Sequence, residues 1–405
     1  HKSRDTHQDS RFTFYVSRLA SHPFFAPILT LVLVAIASTL FAQYRREALR
    51  ELRLVVIEPV LFYVALVTLP MSRRERWRMM DVFVASALLV ALVGLVQYGV
   101  SFCRGMTLCD RVATALGDVI TAEGGTRRLH SVYGSPNNVG LYLGRVVPVL
   151  IAVALWGGKK PASGQKGETA VQSGDRLKLF ADSLLHSPRR LFYAVALLPV
   201  GMALLLSLSR GAIVLGIPAA LLVLGLLAGP TWRRATAIVL VLGMLALIPL
   251  LRTPRFAGMF DFTSGTTGFR LSLWHSAWGM VRDASVLGVG PDNFLYAYRT
   301  RYVLPTAWEE FNLSHPHNVV MDFASRLGIL GLGVFVWLQA IFWRRSLPIR
   351  HDQDTMSRAL ALGVMGSMAD FLGHGLVDAS YFVIDLAFAF FFSLAIVTWL
   401  SERKE

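Results

Sequence analysis

The stretch that decides the fold is residues 191–229, which read LFYAVALLPVGMALLLSLSRGAIVLGIPAALLVLGLLAG. A bilayer core about 30 Å thick needs about 20 mainly apolar residues per helix, because every backbone polar group must find its partner inside the segment. The stretch is therefore about twice the length of one span. Ser207, Ser209, Arg210 and Gly211 interrupt it near the middle. This pattern predicts two membrane helices joined by a tight turn.

The composition extends this interpretation to the whole chain. Of the 405 residues, 54% are hydrophobic and only 16% are charged, whereas a soluble domain has roughly 45–50% apolar and about 25% charged residues. The 40 Lys and Arg residues exceed the 26 Asp and Glu residues to give a net charge of +14, but they stand in short clusters between apolar runs. The composition excludes a soluble nucleic-acid-binding protein, a disordered chain and a disulfide-stapled secreted domain. It predicts an all-α polytopic membrane protein.

About ten segments of the chain are long and apolar enough to be membrane spans. They fall at 23–42, 54–70, 79–100, 136–156, 191–208, 211–229, 235–251, 317–343, 358–378 and 381–400. The sequence begins at His1 without a Met, so we expect that helices could be missing from its N-terminal side.

Lys and Arg in short loops set the orientation of a membrane protein. Under the ten-span assignment, five basic clusters fall on one side, which we predict to be cytoplasmic. They lie at residues 73–76, 159–190, 233–234, 344–345 and 403–404. The opposite side then carries two long connections, 101–135 and 252–316. The Arg-rich segment Tyr44–Arg53 also falls on that opposite side, and we expect it to lie in the membrane interface.

The two cysteines, Cys103 and Cys109, both fall in the connection 101–135. In an oxidising compartment they could form a short disulfide, and two free thiols are the alternative. A pair of this spacing with no nearby Cys or His is not a zinc site.

The strongest local signal for chemistry is Ser314-His315-Pro316-His317-Asn318, immediately before a long apolar segment. Ser314 could cap the predicted helix, and Pro316 suits its first turn. His317 would then lie in the first turn, where the helix dipole favours the uncharged imidazole and free backbone N–H groups attract phosphate. A structural histidine is the alternative. Metal binding by His315 and His317 would need a third ligand, which the sequence does not identify.

Other ionisable residues lie within the predicted spans. Asp370, His374 and Asp378 stand at i, i+4 and i+8 of the segment 358–378, which would place them on one helix face. Intramembrane ionisable residues are functional candidates, with hydrogen bonding to neighbouring helices as the alternative. Asp322 and Arg326 are also four residues apart, and we expect them to pair within their own helix.

Two further features lie at the predicted outer ends of helices. Arg210 stands at the turn of the 191–229 pair, where it could be an interfacial anchor or a cation presented to an anionic group. Asn137 and Asn138 follow Pro136 at the start of the fourth predicted span. They could cap that helix or bind a sugar, and capping is the expectation.

These residues resemble motifs of the O-antigen ligase/polymerase superfamily of bacterial membrane glycosyltransferases. The resemblance rests on Ser209-Arg210-Gly211, on the loop with Arg270 and the run Leu287–Phe294, and on the series His317, Asn318, Gly328 and Gly331. The series follows the ligase signature: His, then Asn, Ser or Gln, nine residues, Gly, two residues, and Gly, Thr or Tyr. The motifs cover roughly 200–335, and among the alternatives a ligase is favoured.

The resemblance implies a GT-C-like helical bundle in the bacterial inner membrane, with about ten to twelve transmembrane helices. It divides the chain into N-terminal membrane helices over 1–251, with an external loop near 101–135, a large periplasmic loop over 252–316 and C-terminal membrane helices over 317–405. Family members have about twelve spans, so the ten spans predicted here suggest a shortened or trimmed N-terminal part.

The resemblance also implies an activity. The enzyme would take a glycan from a polyprenyl (undecaprenyl) diphosphate carrier at the periplasmic face and transfer it to a hydroxyl group, in ligases that of lipid A-core. By position, Arg210 and Arg270 match the paired arginines held to bind the donor diphosphate, and His317 matches the proposed catalytic histidine. Residues that could support the site are His315, Asn318, Asn138, His374 and Asp378. The family is not thought to need a metal or other cofactor.

The chemistry of such a transfer agrees with these residue types. Two guanidinium groups can hold a diphosphate through forked hydrogen bonds, and a neutral histidine can take the proton of the incoming hydroxyl. We expect an inverting single displacement, because no carboxylate is well placed to act as a nucleophile. The expected partners are the lipid-linked donor, the acceptor and membrane lipids, without nucleic acid. The glycan, the acceptor sugar and the oligomeric state stay open.

Two other functions are compatible with the sequence. A polymerase of the same superfamily would use the same donor but extend another lipid-linked repeat. A proton-coupled transporter would use Asp370, His374 and Asp378 as a proton relay, although no inverted repeat is visible.

Overall fold

A computed structural model describes residues 22–122, 125–158, 181–263 and 265–402. Seven basic residues of the predicted cytoplasmic clusters lie outside the described residues: Lys159, Lys160, Lys166, Arg176, Lys178, Arg403 and Lys404. The chain divides into two compact units. The first unit comprises the described residues within His1–Ser72, Gly258–Ser346 and Gly375–Glu405, and the second comprises those within Arg73–Ala257 and Leu347–His374. The predicted division of the chain by membrane topology stays a prediction.

The described parts of both units are mainly α-helical. The α-helices of the first unit are Phe25–Phe41, Arg45–Glu51, Glu58–Thr68, Gly265–Asp283, Phe294–Ala297, Val319–Ser346 and Ile384–Ser401. Those within or mostly within the second unit are Arg73–Val100, Thr107–Leu116, Pro136–Trp156, Pro188–Leu206, Ile217–Ala228, Pro230–Leu250, Pro254–Ala257 and Thr355–Gly375. The second unit also has two antiparallel strands, Ile120–Ala122 and Thr126–Arg128, with Ile120 opposite Arg128.

Short segments of other helical types complete the two units. The π-helical segments Leu52–Ile57 and Tyr298–Tyr302 and the 3-10 segment Pro305–Glu310 belong to the first unit. The π-helical segment Gly211–Gly216 and the 3-10 segment Leu347–His351 belong to the second.

Seven helices in the described parts of the chain are long and apolar enough to cross a membrane. They are Arg73–Val100, Pro136–Trp156, Pro188–Leu206, Gly211–Ala228, Pro230–Leu250, Val319–His351 and Ile384–Ser401. The molecule is therefore a helical membrane protein. The other three predicted spans also contain helix. Helix Phe25–Phe41 is shorter than the seven, and the predicted span 54–70 consists of the end of the π-helical segment Leu52–Ile57 and the α-helix Glu58–Thr68. Helix Thr355–Gly375 is long enough but more polar. The expected ten spans stay a prediction.

The polar interruption of residues 191–229 is present as predicted. Helix Pro188–Leu206 ends before Ser207, and Leu208 has a left-handed backbone with φ 46°. The chain becomes helical again at Gly211, directly after Arg210. Both halves pack against helix Pro136–Trp156, and Gly140 of that helix lies so close to Ser209 that a methyl group there would be 2.7 Å from the Ser209 Cβ.

In the first unit, helix Val319–Ser346 is interrupted at Gly328, whose φ is 68° and whose ψ is −168°. The run Ser285–Gly290 passes alongside this break. Ile329 donates its backbone N–H to the Ser285 carbonyl at 2.8 Å. Val289 and Gly290 donate to the carbonyls of Ser325 and Arg326 at 2.8 and 3.1 Å. The Ser38 hydroxyl joins the same place by donating to the carbonyls of Leu287 and Arg326.

The predicted long connection 252–316 contains its own helices and its own core. Helix Gly265–Asp283 packs against helix Val319–Ser346 and against the short helices that follow it. Five fully buried side chains join these helices: Leu273, Ala277, Met280, Phe294 and Tyr298. The connection therefore holds the residues around His317 in a packed structure.

Candidate active site

The histidine loop, residues Ser314–Asn318, lies directly before helix Val319–Ser346. The helix begins two residues later than predicted, because Asn318 and not Ser314 provides the cap. The Asn318 Oδ1 accepts the backbone N–H groups of Val320 at 3.0 Å and Met321 at 3.1 Å. His317 has a left-handed backbone with φ 50° and lies outside the first turn. The expected placement of His317 in the helix dipole is therefore wrong.

The electrostatic partner of His317 is a carboxylate and not the helix dipole. The Nδ1 of His317 lies 2.9 Å from Oδ1 of Asp378. The Asp378 side chain is 6% exposed and that of His317 is 19% exposed. A neutral imidazole that donates its Nδ1 proton to a carboxylate presents Nε2 as a proton acceptor. The pair therefore has the arrangement of an oriented general base.

Asp378 reaches His317 because helix Thr355–Gly375 ends three residues before the predicted end at residue 378. The helix ends at Gly375, so Asp378 lies in the following turn and not on the helix face that carries Asp370 and His374. The predicted i, i+4, i+8 arrangement on one helix face is therefore wrong for Asp378. A second hydrogen bond fixes this turn to the histidine loop, since the Asn318 Nδ2 donates to the Leu376 carbonyl at 2.9 Å.

His315 forms a further part of the same cluster. Its ring lies 4.3 Å from that of His317, centroid to centroid, in an edge-on arrangement. Desolvation is the main cause that lowers the pKa of His315 to about 3, and the neighbouring His317 is the next. His315 is therefore neutral at physiological pH. The ligand atoms of His315, His317 and Asp378 all lie within 4.8 Å of one another, so Asp378 is the third potential metal ligand that the sequence did not identify.

Arg326 fixes the other end of the histidine loop. Its Nη2 donates to the Ser314 carbonyl at 2.6 Å. Its Nε pairs with Asp322 at 2.6 Å, which confirms the expected pair within one helix. Its Nη1 also lies 2.7 Å from both carboxylate oxygens of Glu51, in the helix before the π segment. Arg326, Asp322 and Glu51 are all buried, and the guanidinium connects the histidine loop to two helices.

Arg270 lies on the helix that packs beside the histidine loop. Trp274, one turn further along Gly265–Asp283, donates its indole N–H to the Pro316 carbonyl at 3.0 Å. The positive charge of Arg270 is close enough to act on the ring of His315. The first unit therefore brings Arg270 to the same region as His315, His317 and Asp378.

The second unit holds the remaining residues singled out by the sequence. The buried Ser209, next to Arg210, contacts the Nε2 of the buried His374 at 3.4 Å. Asp370 is also fully buried and packs against Gly144 and Gly216, where a methyl group would overlap its carboxylate. Arg210 and His374 belong to a different unit from His317, so their predicted convergence with the histidine site stays a prediction.

The start of helix Pro136–Trp156 differs from the expectation for Asn137 and Asn138. Ser135 is the N-cap, and its side chain accepts the backbone N–H of Asn137. The Asn137 side chain instead accepts a hydrogen bond from Arg128 at 2.9 Å. Asn138 lies in the first turn and is not the cap. The capping role predicted for these two residues is therefore wrong, and a supporting role of Asn138 stays a prediction.

Sequence reasoning missed several partners of the site. Arg326 and Asp322 were expected to form only a local helix pair, and Glu51 carried no signal because it stands far away in the chain. An ionisable residue within an apolar helix, such as Arg326, was the signal that could have pointed to a buried network.

The fold and this site define a helical membrane protein with a histidine–carboxylate pair beside an arginine. Residues 194–336 match the family model described as O-Antigen ligase. The match confirms the resemblance to the O-antigen ligase superfamily and contains Arg210, Arg270, His317 and Gly328. It indicates a glycosyltransferase activity of the ligase or polymerase type. The comparison with curated proteins gave no match.

Proposed function

We propose that this protein transfers an O-antigen glycan from an undecaprenyl diphosphate carrier to a hydroxyl group of lipid A-core. The reaction would take place at the periplasmic face of the bacterial inner membrane, within a GT-C-like bundle. The observation that carries this proposal is the contact of 2.9 Å between Asp378 and His317. His317 lies in the segment where the family match and the ligase signature coincide.

His317 acts in this proposal as the general base. The acceptor hydroxyl gives its proton to Nε2 of His317 while its oxygen attacks the anomeric carbon of the donor. The bond from that carbon to the diphosphate breaks, and the diphosphate leaves with the electron pair. Asp378 holds the imidazole in the required tautomer and stabilises the imidazolium that forms, as the carboxylate does in a Ser-His-Asp triad. One displacement inverts the anomeric configuration.

Arg270 and Arg210 bind the donor diphosphate in this proposal. Their guanidinium groups offer forked hydrogen bonds to phosphate oxygens and offset the charge that develops on the leaving group. The proximity of Arg270 to His315 supports its part in this assignment. His315 and Asn318 support the site by shaping the histidine loop, and His374 and Asn138 are supporting residues in the second unit. The catalytic step draws on no metal or other cofactor.

The proposed base is tested with purified protein, a polyprenyl-diphosphate glycan and lipid A-core, with product masses as the readout. We expect His317→Ala to abolish transfer, because no imidazole is then present to take the proton from the hydroxyl group of lipid A-core. His275→Ala is the matched control, since His275 is exposed on helix Gly265–Asp283, and it should transfer normally. Normal transfer by His317→Ala, in a protein that elutes like wild type, would remove His317 from the base role.

The proposed diphosphate clamp is tested by donor titration. We expect Arg210→Ala and Arg270→Ala each to raise the donor KM or lower kcat/KM by about 10- to 100-fold, because a charge-assisted hydrogen bond contributes about 1.5–3 kcal/mol. The exposed Arg233 and Arg282 provide matched Arg→Ala controls in the two units. An unchanged donor dependence in both test variants would contradict the clamp.

A polymerase would share the donor and the residues but use another acceptor. The same assay therefore includes a second lipid-linked repeat in place of lipid A-core. Products that grow by whole repeats on the lipid carrier would assign a polymerase, and products on lipid A-core would assign a ligase.

A further inference from the structure

The histidine site combines three side chains that are also good ligands for a transition metal. His315 and His317 come from the loop before helix Val319–Ser346, and Asp378 comes from the turn after helix Thr355–Gly375. Two imidazoles and one carboxylate are a ligand set that suits Zn²⁺, with water in the fourth position. Mg²⁺ and Ca²⁺ prefer sites made of oxygen ligands alone.

The distances of the cluster are compatible with one ion. The ligand atoms lie within 4.8 Å of one another, and His317 and Asp378 are separated by only 2.9 Å. A tetrahedral Zn²⁺ with ligand bonds near 2.0–2.2 Å separates its ligand atoms by about 3.3 Å. The longest separation would close by roughly 1.5 Å, which side-chain rotation within the loop can supply.

The charges around the cluster also permit a cation. Arg326 and Arg270 are two cations that act on the cluster. The charge of Arg326 is offset by Asp322 and Glu51, both in direct contact with it, which leaves the charge of Arg270 to oppose a bound cation. Asp378 itself contributes a carboxylate to the cluster. The His317 side chain is 19% exposed, so an ion and its water can reach the site from solution.

We propose that His315, His317 and Asp378 form a binding site for a divalent transition metal, represented by Zn²⁺, and that the bound ion inhibits the enzyme. The inhibitory part rests on the proposed function, because an ion on His317 occupies a lone pair of the proposed base and takes Asp378 away as its hydrogen-bond partner. The metal is a regulator or inhibitor in this proposal and has no part in the transfer step.

The metal site is tested by binding, independently of transfer. Purified full chain without a histidine tag is dialysed against Zn²⁺, and its metal content and affinity are measured by mass spectrometry and by competition with a chromophoric chelator. We expect about one tightly bound Zn²⁺ per chain. His315→Ala, His317→Ala and Asp378→Asn should each weaken binding by at least about tenfold, the loss seen when even outer groups of a metal site are removed.

The exposed His275 provides the control for this experiment, and His275→Ala should bind Zn²⁺ like wild type. Each variant is compared by its elution profile and melting curve, and His315→Gln is added as a milder change. Absence of tight Zn²⁺ binding to wild type, or equal binding by the folded ligand variants, would overturn the site while leaving the base proposal unaffected.

The inhibition is then tested with wild type in the transfer assay. We expect transfer to fall by at least tenfold at saturating Zn²⁺ and to recover when a chelator removes the ion, whereas Mg²⁺ at the same concentration should have no such effect. Full transfer with Zn²⁺ bound at these residues would overturn the inhibition and would also contradict His317 as the base. The metal site is tested by binding, and the base role is tested by His317→Ala without added metal, so the failure of one can be told from the failure of the other.

Discussion

Asp378 determines which ring nitrogen of His317 is available in the proposed reaction, because it contacts Nδ1 and leaves Nε2. The contact joins Nδ1 to Oδ1 at 2.9 Å, and the carboxylate is almost completely buried. Burying a carboxylate without a hydrogen-bond partner costs free energy. The burial of Asp378 therefore also favours its contact with His317. The orientation of the His317 ring and its tautomer both follow from this one interaction.

We expect Asp378→Asn to lower kcat of transfer by about 10²- to 10⁴-fold with little change in the acceptor KM. The amide has nearly the same shape, but it cannot stabilise the imidazolium and it permits the wrong tautomer of His317. Initial rates at varied acceptor concentrations measure both constants.

Asp385→Asn is the matched control for this change, since Asp385 lies in the first turn of the next helix, Ile384–Ser401. The control should keep the kcat of wild type. An Asp378→Asn protein with unchanged kcat would show that the carboxylate does not assist His317.

At the scale of elements, the break at Gly328 explains the glycine in the ligase signature. The backbone at Gly328 has φ 68° and ψ −168°, and a methyl group there would overlap the Val286 carbonyl. Gly288, on the neighbouring run, also has a positive φ of 68°, and a methyl group there would meet Ser325 and Arg326. The two glycines therefore allow the run Ser285–Gly290 to approach helix Val319–Ser346 and form backbone hydrogen bonds with it. These bonds hold Arg326 where it contacts the histidine loop.

We expect Gly328→Ala to destabilise the protein by at least about 1–3 kcal/mol, because the residue would be strained at its backbone and would collide with the adjacent run. The melting temperature in detergent should fall, and transfer should fall with it because the histidine loop loses its support.

Gly333→Ala in the same helix is the control. A methyl group at Gly333 would meet nothing within 4 Å, so this change should leave stability unchanged or raise it by up to about 1 kcal/mol. Equal melting curves for the two variants would contradict the close approach at Gly328.

At the scale of the whole molecule, the apolar surface and the disulfide both reflect the surroundings in which the chain folds. Helix Pro230–Leu250 is long and apolar enough to span a membrane, yet none of its residues is buried within the structure. Lipid is the natural environment for such a helix. Cys103 and Cys109 form a disulfide, which selects one of the two alternatives left open by the sequence. Disulfides persist in oxidising compartments, and this agrees with the expected periplasmic position of their connection.

We expect protein isolated from membranes without reductant to resist alkylation by a maleimide, even after denaturation, because both thiols are in the disulfide. Reduction before labelling should add two maleimide masses per chain, since the sequence has 2 cysteines. Labelling of unreduced denatured protein at both cysteines would place this segment in a reducing compartment. A serine variant of both residues, which should not label at all, is the control.

The sequence alone determined the membrane character, the break at Ser207–Gly211 and the region of the histidine site, because these depend on local composition and spacing. Apolar segment length is set by the bilayer, and the order of the motifs can be read along one chain. The positions of Asn318 and Asp378 could not be predicted in this way. They depend on where two helices begin and end, and these boundaries are set by competing caps and by contacts with distant parts of the chain.

Only the tertiary structure decided which polar groups meet. Glu51 and Arg326 stand in direct contact although 275 residues separate them, and His317 and Asp378 meet across 61 residues. Burial makes unpaired charges costly, so partners from remote segments are brought together by packing and not by spacing. The pattern of residues supplied the chemical groups, and the packed helices decided which of them form a site.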